Sequence, residues 1–200
     1  MSVTSRAAIV AACITLIAAP TAAQDIKPAP KPAEQAAPAN PFAAIPAARP
    51  ADVASVDAIV AALYDVISGD KGVERNWDRF RSLFYPGARM IPTGKAKTGK
   101  VNARIASPES YIEGNQAFLV SEGFHEQEIT RTVDSFGNIV HVFSAYEARH
   151  ALTEEKPFLR GINSIQLFND GKRWWVMSVA WSPETPEHPL PKQYSEKPGR

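Results

Sequence analysis

The sequence has one cysteine among 200 residues, no excess of basic charge, and no apolar run long enough to span a bilayer. Each shortage removes a class of function. Cys13 stands inside a segment that reads as an export leader: Arg6 supplies the positive start, residues 7–19 are small and apolar, and Pro20-Thr21-Ala22-Ala23 before Gln24 has the form of a cleavage site. The expected mature chain therefore has no thiol, which excludes disulfides, a cysteine nucleophile and cysteine metal sites. Those thirteen residues fall short of the ~20 a membrane span needs, so cleavage is expected rather than anchoring, with a periplasmic or secreted product. Val10-Ala11-Ala12-Cys13 has the look of a lipoprotein box, but the apolar run continues through Ile14, Leu16 and Ile17, which argues against lipidation. Of the 22 basic residues only Arg6 lies in 1–23, and none of the 21 acidic ones does, so the mature chain balances at 21 against 21. A nucleic-acid binder needs a basic surplus, and there is none. The four histidines, His125, His141, His150 and His188, form no i, i+4 pair, so neither a metal nor another cofactor is expected. No Gly-rich phosphate loop, G-x-S-x-G turn or H-E-x-x-H pair occurs.

Four segments follow: a leader at 1–23, a Pro/Ala-rich disordered linker at 24–50, a domain at 51–182 and a Pro-rich tail at 183–200. The linker holds seven of the seventeen prolines and no apolar period. From Val53 to Ile67 apolar residues recur on one helical face, and Gly69 stands where a cap belongs. Trp77, Phe80, Leu83 and Phe84 form a short second helix stopped by Pro86-Gly87. Ala88 to Ile91 is a strand that Pro92 should confine to an edge, followed by a lysine-rich flap. Ser107-Pro108-Glu109 starts a third helix, which ends near Gly123. The period then changes to two, giving strands at 124–134, 139–151, 158–168 and 173–181. Three helices packed on a curved antiparallel sheet make an α+β domain.

Asn169-Asp170-Gly171-Lys172, between two apolar runs, sets the register of the last hairpin. A two-residue Asp170-Gly171 turn pairs Leu167 with Trp174 and Ile165 with Val176. Trp174 and Val176 then point inward, with Trp175, Met177, Val179, Trp181 and Ile162 on the outer face. That apolar outer face predicts either a homodimer or a cover formed by the tail from Pro183. Carried back through the other turns, strict alternation collects His125, Gln127, Arg131, Ser144, Tyr146, His150, Asn163 and Ser178 on the inner face, beside the small residues Gly161 and Ala180. Glu126 and Glu128 fall outside, leaving the inner face without a carboxylate. Polar groups clustered on a buried face point to a ligand pocket, or to hydrogen bonds among themselves and helix ends. The candidate ligand-binding residues are Gln127, Arg131, Ser144, Tyr146, Asn163, Ser178 and Trp77. The catalytic candidates are His125 as a base, Tyr146 as a hydrogen-bond donor and Asp78 as an acid entering from a helix.

The helix order, the curved sheet and the closing Asn169-Asp170-Gly171-Lys172-Arg173-Trp174-Trp175-Val176 resemble the nuclear transport factor 2-like (cystatin-like) superfamily, especially its exported polyketide-cyclase-like bacterial members, over about residues 52–181. The resemblance implies a cone with a pocket between helices and sheet, frequent dimerisation through the sheet, and functions from steroid isomerases, cyclases and dehydratases to proteins without catalysis. The isomerases' catalytic Tyr and Asp positions find no match, so no catalytic residue is carried over. Three functions stay open: an exported module binding a small apolar molecule, an isomerase-, cyclase- or dehydratase-type enzyme, and a non-catalytic dimeric interaction module.

Overall fold

The structure, a computed structural model, describes residues 40–96 and 98–195. The leader and most of the linker lie outside the described residues. Among those described, no helix is long and apolar enough to cross a membrane.

Each predicted helix begins where a side chain satisfies its free N–H groups. A single turn, Pro50–Val53 (α1), precedes Val56–Ile67 (α2), where Ser55 accepts from the N–H of Ala58 and the apolar stripe buries Ile59, Val60, Leu63, Tyr64, Val66 and Ile67. In Trp77–Ser82 (α3) the Asn76 side chain accepts from the N–H of Arg79 and Phe80 is fully buried. Pro108–Glu122 (α4) starts at Ser107 with proline in its first turn and ends at Gly123, at φ +72°. Any other residue there would bring a Cβ to 2.5 Å from the His150 carbonyl. The buried guanidinium of Arg75 donates to the carbonyls of Ile67 (2.9 Å), Gly69 (2.7 Å), Leu119 (2.9 Å) and Val73. It thereby ties the C-terminal ends of α2 and α4 together and satisfies carbonyls that helix ends leave unpaired.

The six strands are Phe84–Lys95 (β1), Val101–Ala103 (β2), His125–Phe136 (β3), Ile139–Arg149 (β4), Leu159–Asn169 (β5) and Trp174–Pro183 (β6). Their order is β2-β1-β6-β5-β4-β3, antiparallel except for the parallel pair β1 and β6. Pro92 does not mark an edge. It sits where β1 passes from its ladder with β6 to its ladder with β2, which begins at Thr93, and its carbonyl accepts from the N–H of Arg104 (3.1 Å). The core fills the space between α2, α3, α4 and the inner sheet face, with Phe80, Leu83, Val142, Ile165, Leu167 and Val176 almost fully buried.

The register departs from the expected pairing at the last hairpin, and alternation itself breaks within β6 and β3. In the β5–β6 hairpin Asn169 pairs with Trp174 and Leu167 with Val176, so the loop is wider than the expected two residues. Side chains build it: Asp170 Oδ1 accepts from the N–H groups of Lys172 and Arg173 (2.8 and 2.9 Å), and Asn169 Oδ1 from that of Gly171 (2.8 Å). Trp174 and Val176 still pack on the core, while Trp175 lies outside against Phe42, Tyr85 and the Arg173 guanidinium. A bulge at Met177 then turns β6 over, so Val179 and Trp181 face the core and Ser178, opposite Gln166, does not. The third departure, in β3, shapes the site described below.

The outer face is covered by the chain itself. Phe42, from the end of the linker, meets Tyr85 edge-on at 5.3 Å. Lys192–Ser195 (α5), in the tail, brings Tyr194 onto Ile129, Phe143, Ala145 and Ile162, with its hydroxyl 3.0 Å from that of Thr132. Cover by the tail was one of the two outcomes the sequence allowed. Val179 and Trp181 have left the outer face, and Phe42 and Tyr194 pack on Trp175 and Ile162, which reduces the patch that suggested a dimer.

Gly161 leaves room for Tyr146: a Cβ there would stand 2.4 Å from the Ser182 carbonyl and 2.6 Å from the Tyr146 hydroxyl. Gly161→Ala is expected to cost about 1–3 kcal/mol of unfolding free energy in urea denaturation. A loss within measurement error would mean that this close packing is absent.

Candidate functional site

An irregularity in one strand decides what the site contains. The ladder between β3 and β4 runs from Phe136 opposite Ile139 to Thr130 opposite Ala145, then resumes at Glu128 opposite Tyr146, leaving Ile129 as an extra residue. Beyond this bulge every side chain of β3 changes face. Ile129 goes to the outer cluster under Tyr194, and Glu126, opposite the fully buried Ala148, turns inward. The expected carboxylate-free inner face is therefore wrong. Apolar Phe124, buried in the main core, was the available signal, since strict alternation with His125, Gln127 and Arg131 inward would have put it on the outer face.

Glu126 borders an apolar cavity of about 240 Å³ between α2, α4 and the sheet. For comparison, an engineered cavity of about 150 Å³ takes up benzene. The walls are Leu63, Tyr64 and Ile67 of α2, Tyr111 and Phe118 of α4, Phe80, Phe124, Tyr146, Phe158, Val179 and Trp181. Glu126 is the sole charged residue among them. Its Oε1 accepts from Asn163 Nδ2 (3.1 Å), and its other oxygen has no partner among the described residues. Burial pushes its carboxyl up to about 7, only partly offset by the Asn163 hydrogen bond. The phenols of Tyr64, Tyr111 and Tyr146 are pushed up by burial and then by the nearby Glu126, so all three stay protonated donors. The hydroxyls of Tyr111 and Tyr146 have no hydrogen-bond partner among the described residues, whereas that of Tyr64 meets both Asn163 and Ser144 (2.7 Å).

The predicted site residues divide. Tyr146 and Asn163 line the cavity, and Ser144 is buried behind it. His125, Gln127 and Arg131 instead line an adjoining polar groove of about 480 Å³ with Asp57, Ser68 and Glu128, which Tyr64 and Glu126 border from the cavity side. There His125 Nε2 contacts Asp70 (2.9 Å). His150 stacks on Phe158 at 4.0 Å and contacts the Gly123 carbonyl through Nδ1. Trp77 packs edge-on against Phe80 without reaching the cavity. Asp78 is largely exposed, paired with Arg81 (3.0 Å), and Ser178 faces away. His125 and Asp78 are thus not beside the pocket, and the acid–base group the sequence reading missed is Glu126. No three His, Asp or Glu side chains among the described residues group as metal ligands.

No protein-family model and no curated protein matches the chain. Solved structures do. The β subunit of a candidate aromatic-ring-hydroxylating dioxygenase from Novosphingobium aromaticivorans aligns with TM-score 0.51 at 12% identity, over 66% of this chain and 88% of that one. A cystatin-like protein of unknown function from Nostoc punctiforme gives 0.49 at 9% identity, over 68% and 92%. An NTF-2-like protein of unknown function from Silicibacter pomeroyi gives 0.46 at 11%, over 66% and 94%. The domain shares its fold with that dioxygenase β subunit. At these identities the likeness is one of fold, so what this domain does has to be argued from its own cavity.

The buried carboxyl has a consequence for stability. An unfolded Glu126 ionises near 4.5, the folded one near about 7, so between these values the native state holds a proton that the unfolded chain releases. Stability should therefore fall as pH rises through this window, by about 3 kcal/mol in total, and level off above it. Glu126→Gln is expected to remove that fall, gaining on the wild type between about pH 4.5 and about pH 8 in urea midpoints. Parallel curves for the two proteins would place the carboxyl in water.

Proposed function

We propose that the domain binds a small, uncharged, largely apolar molecule bearing a carbonyl and moves a proton on it, with Glu126 as the base. The observation that carries this reading is a single carboxyl, poised near neutrality, in an aromatic-walled cavity with no basic residue. The lack of a basic partner disfavours anionic ligands. Glu126 lines the cavity with one oxygen free of protein partners, while Tyr111 and Tyr146 offer hydroxyls that no protein group among the described residues occupies.

In such a step the C–H bond beside the carbonyl breaks, its proton passes to Glu126, and the electron pair moves onto the carbonyl oxygen. A tyrosine hydroxyl stabilises that oxygen by a hydrogen bond that strengthens as charge develops. Return of the proton to a different carbon completes an isomerisation, and return to the same carbon is exchange. The isomerase-type alternative among the sequence readings is thereby favoured over binding alone, with Glu126 in the role first given to His125.

Solvent-deuterium incorporation into small cyclic ketones, followed by NMR, tests this without a known substrate. The expected rate rises with pH and levels off above about 7, as the ionised base requires, and Glu126→Gln lowers it by about 10²–10⁴-fold with little change in ligand affinity. Exchange that survives in Glu126→Gln would rule out this base. Binding without exchange in the wild type would leave a binding module.

A further inference from the structure

A chain of hydrogen bonds runs from Glu126 to the polar groove, and each link has a direction. At the groove end Arg131 is paired with Glu128 (3.3 Å) and with Asp57 (2.6 Å). A carboxylate in that pair accepts and does not donate. Ser144 must therefore give its one hydroxyl proton to Glu128 Oε1 (2.5 Å), and its oxygen is left to accept from Tyr64 (2.7 Å). Tyr64, having given its proton to Ser144, accepts from Asn163 Nδ2 (3.1 Å). The amide nitrogen of Asn163 is thereby turned towards both Tyr64 and Glu126, and Glu126 receives a hydrogen instead of facing the amide oxygen. Ser144 is fully buried and Asn163 and Tyr64 nearly so, so water does not reset these directions.

We infer that Glu128 is a positioning residue for Glu126: from the groove its carboxylate sets the direction of the chain and aims the Asn163 amide, hydrogen first, at the base. The inference rests on the reading of Glu126 as a base and adds what holds it in the accepting state. With the chain reversed, Tyr64 would donate to the Asn163 oxygen, and that oxygen could meet Glu126 only if Glu126 carried a proton. The other titratable or charged groups packed around Glu126 are Tyr64, Asp57 and Asp65 of α2, Tyr111 of α4, Tyr146 of β4, and His125 and Arg131 of β3. β5 and β6 contribute none to either cavity.

Glu128→Gln separates direction from charge, because the two predict opposite signs. Loss of a nearby negative charge alone would make Glu126 easier to ionise. A glutamine, however, can donate to Ser144 and let the chain reverse, which makes Glu126 harder to ionise. The measurement is the titration of Glu126 in the full chain carrying ¹³C-labelled glutamate carboxyls, the signal being assigned by its loss in Glu126→Gln. A midpoint raised by about one pH unit or more in Glu128→Gln, a tenfold gain in proton affinity, is the expected result. Should that variant not fold, Ser144→Ala decides instead, since Tyr64 then loses its acceptor and turns its proton to Asn163, with the same upward shift. A midpoint unchanged or lowered overturns the inference and leaves the base reading intact. If no glutamate signal titrating near neutrality is lost in Glu126→Gln, the base reading fails first and this inference with it.

Discussion

The extra residue at Ile129 is the constraint on which the rest of the site depends. A β-ladder has a side-chain period of two, so one unpaired residue moves everything beyond it to the other face. Two gains hold the bulge in place. Ile129 is buried under Tyr194 on the outer side, and Phe124, just before the same strand, is buried in the main core. With residues 130–136 held in place, removing the bulge would move both of these apolar side chains to the wrong face. Glu126 is carried inward by the same rotation, into surroundings that cost a carboxylate free energy.

That cost is limited by the groups around it. Asn163 supplies one hydrogen bond, three tyrosine hydroxyls stand near, and the remaining penalty appears as a carboxyl that ionises near neutrality. The walls around it are held by interactions away from the cavity. Arg75 locks the ends of α2 and α4 through four backbone carbonyls, and the two-pronged pair of Arg79 with Asp52 (2.7 and 2.9 Å) fastens α3 to α1. A cavity between helices and sheet persists only if the helices cannot collapse onto the sheet, and bridges of this kind resist that collapse.

The two ends of the described chain serve the opposite side. Phe42 joins Tyr85, Phe168 and Trp175 in an aromatic cluster built around edge-on contacts to Tyr85, and Leu190 with Tyr194 covers the apolar part of β3, β4 and β5. Segments rich in proline and alanine that carry almost no structural signal of their own thus remove apolar surface that a sheet with one bare face would show to water.

The sequence by itself determined the helices, the four C-terminal strands and the inward placement of Ser144, Tyr146, Asn163 and Val176. These follow from local chemistry: caps at Ser55 and Ser107, a stop at Gly123, and a period of two that survives a register error of two residues, since such an error keeps every side chain on its face. Tertiary structure decided what alternation cannot encode. The bulges at Ile129 and Met177 arise because burial of Ile129, Phe124, Val179 and Trp181 on particular faces outweighs an unbroken ladder, and that balance exists only once both sheet faces have found their covers. The parallel pairing of β1 with β6 joins strands about ninety residues apart, beyond the reach of any local pattern. Glu126 reads as an exposed glutamate beside Glu128 in the sequence, and only the strand's change of face, set by distant packing, makes it the one carboxyl in the cavity.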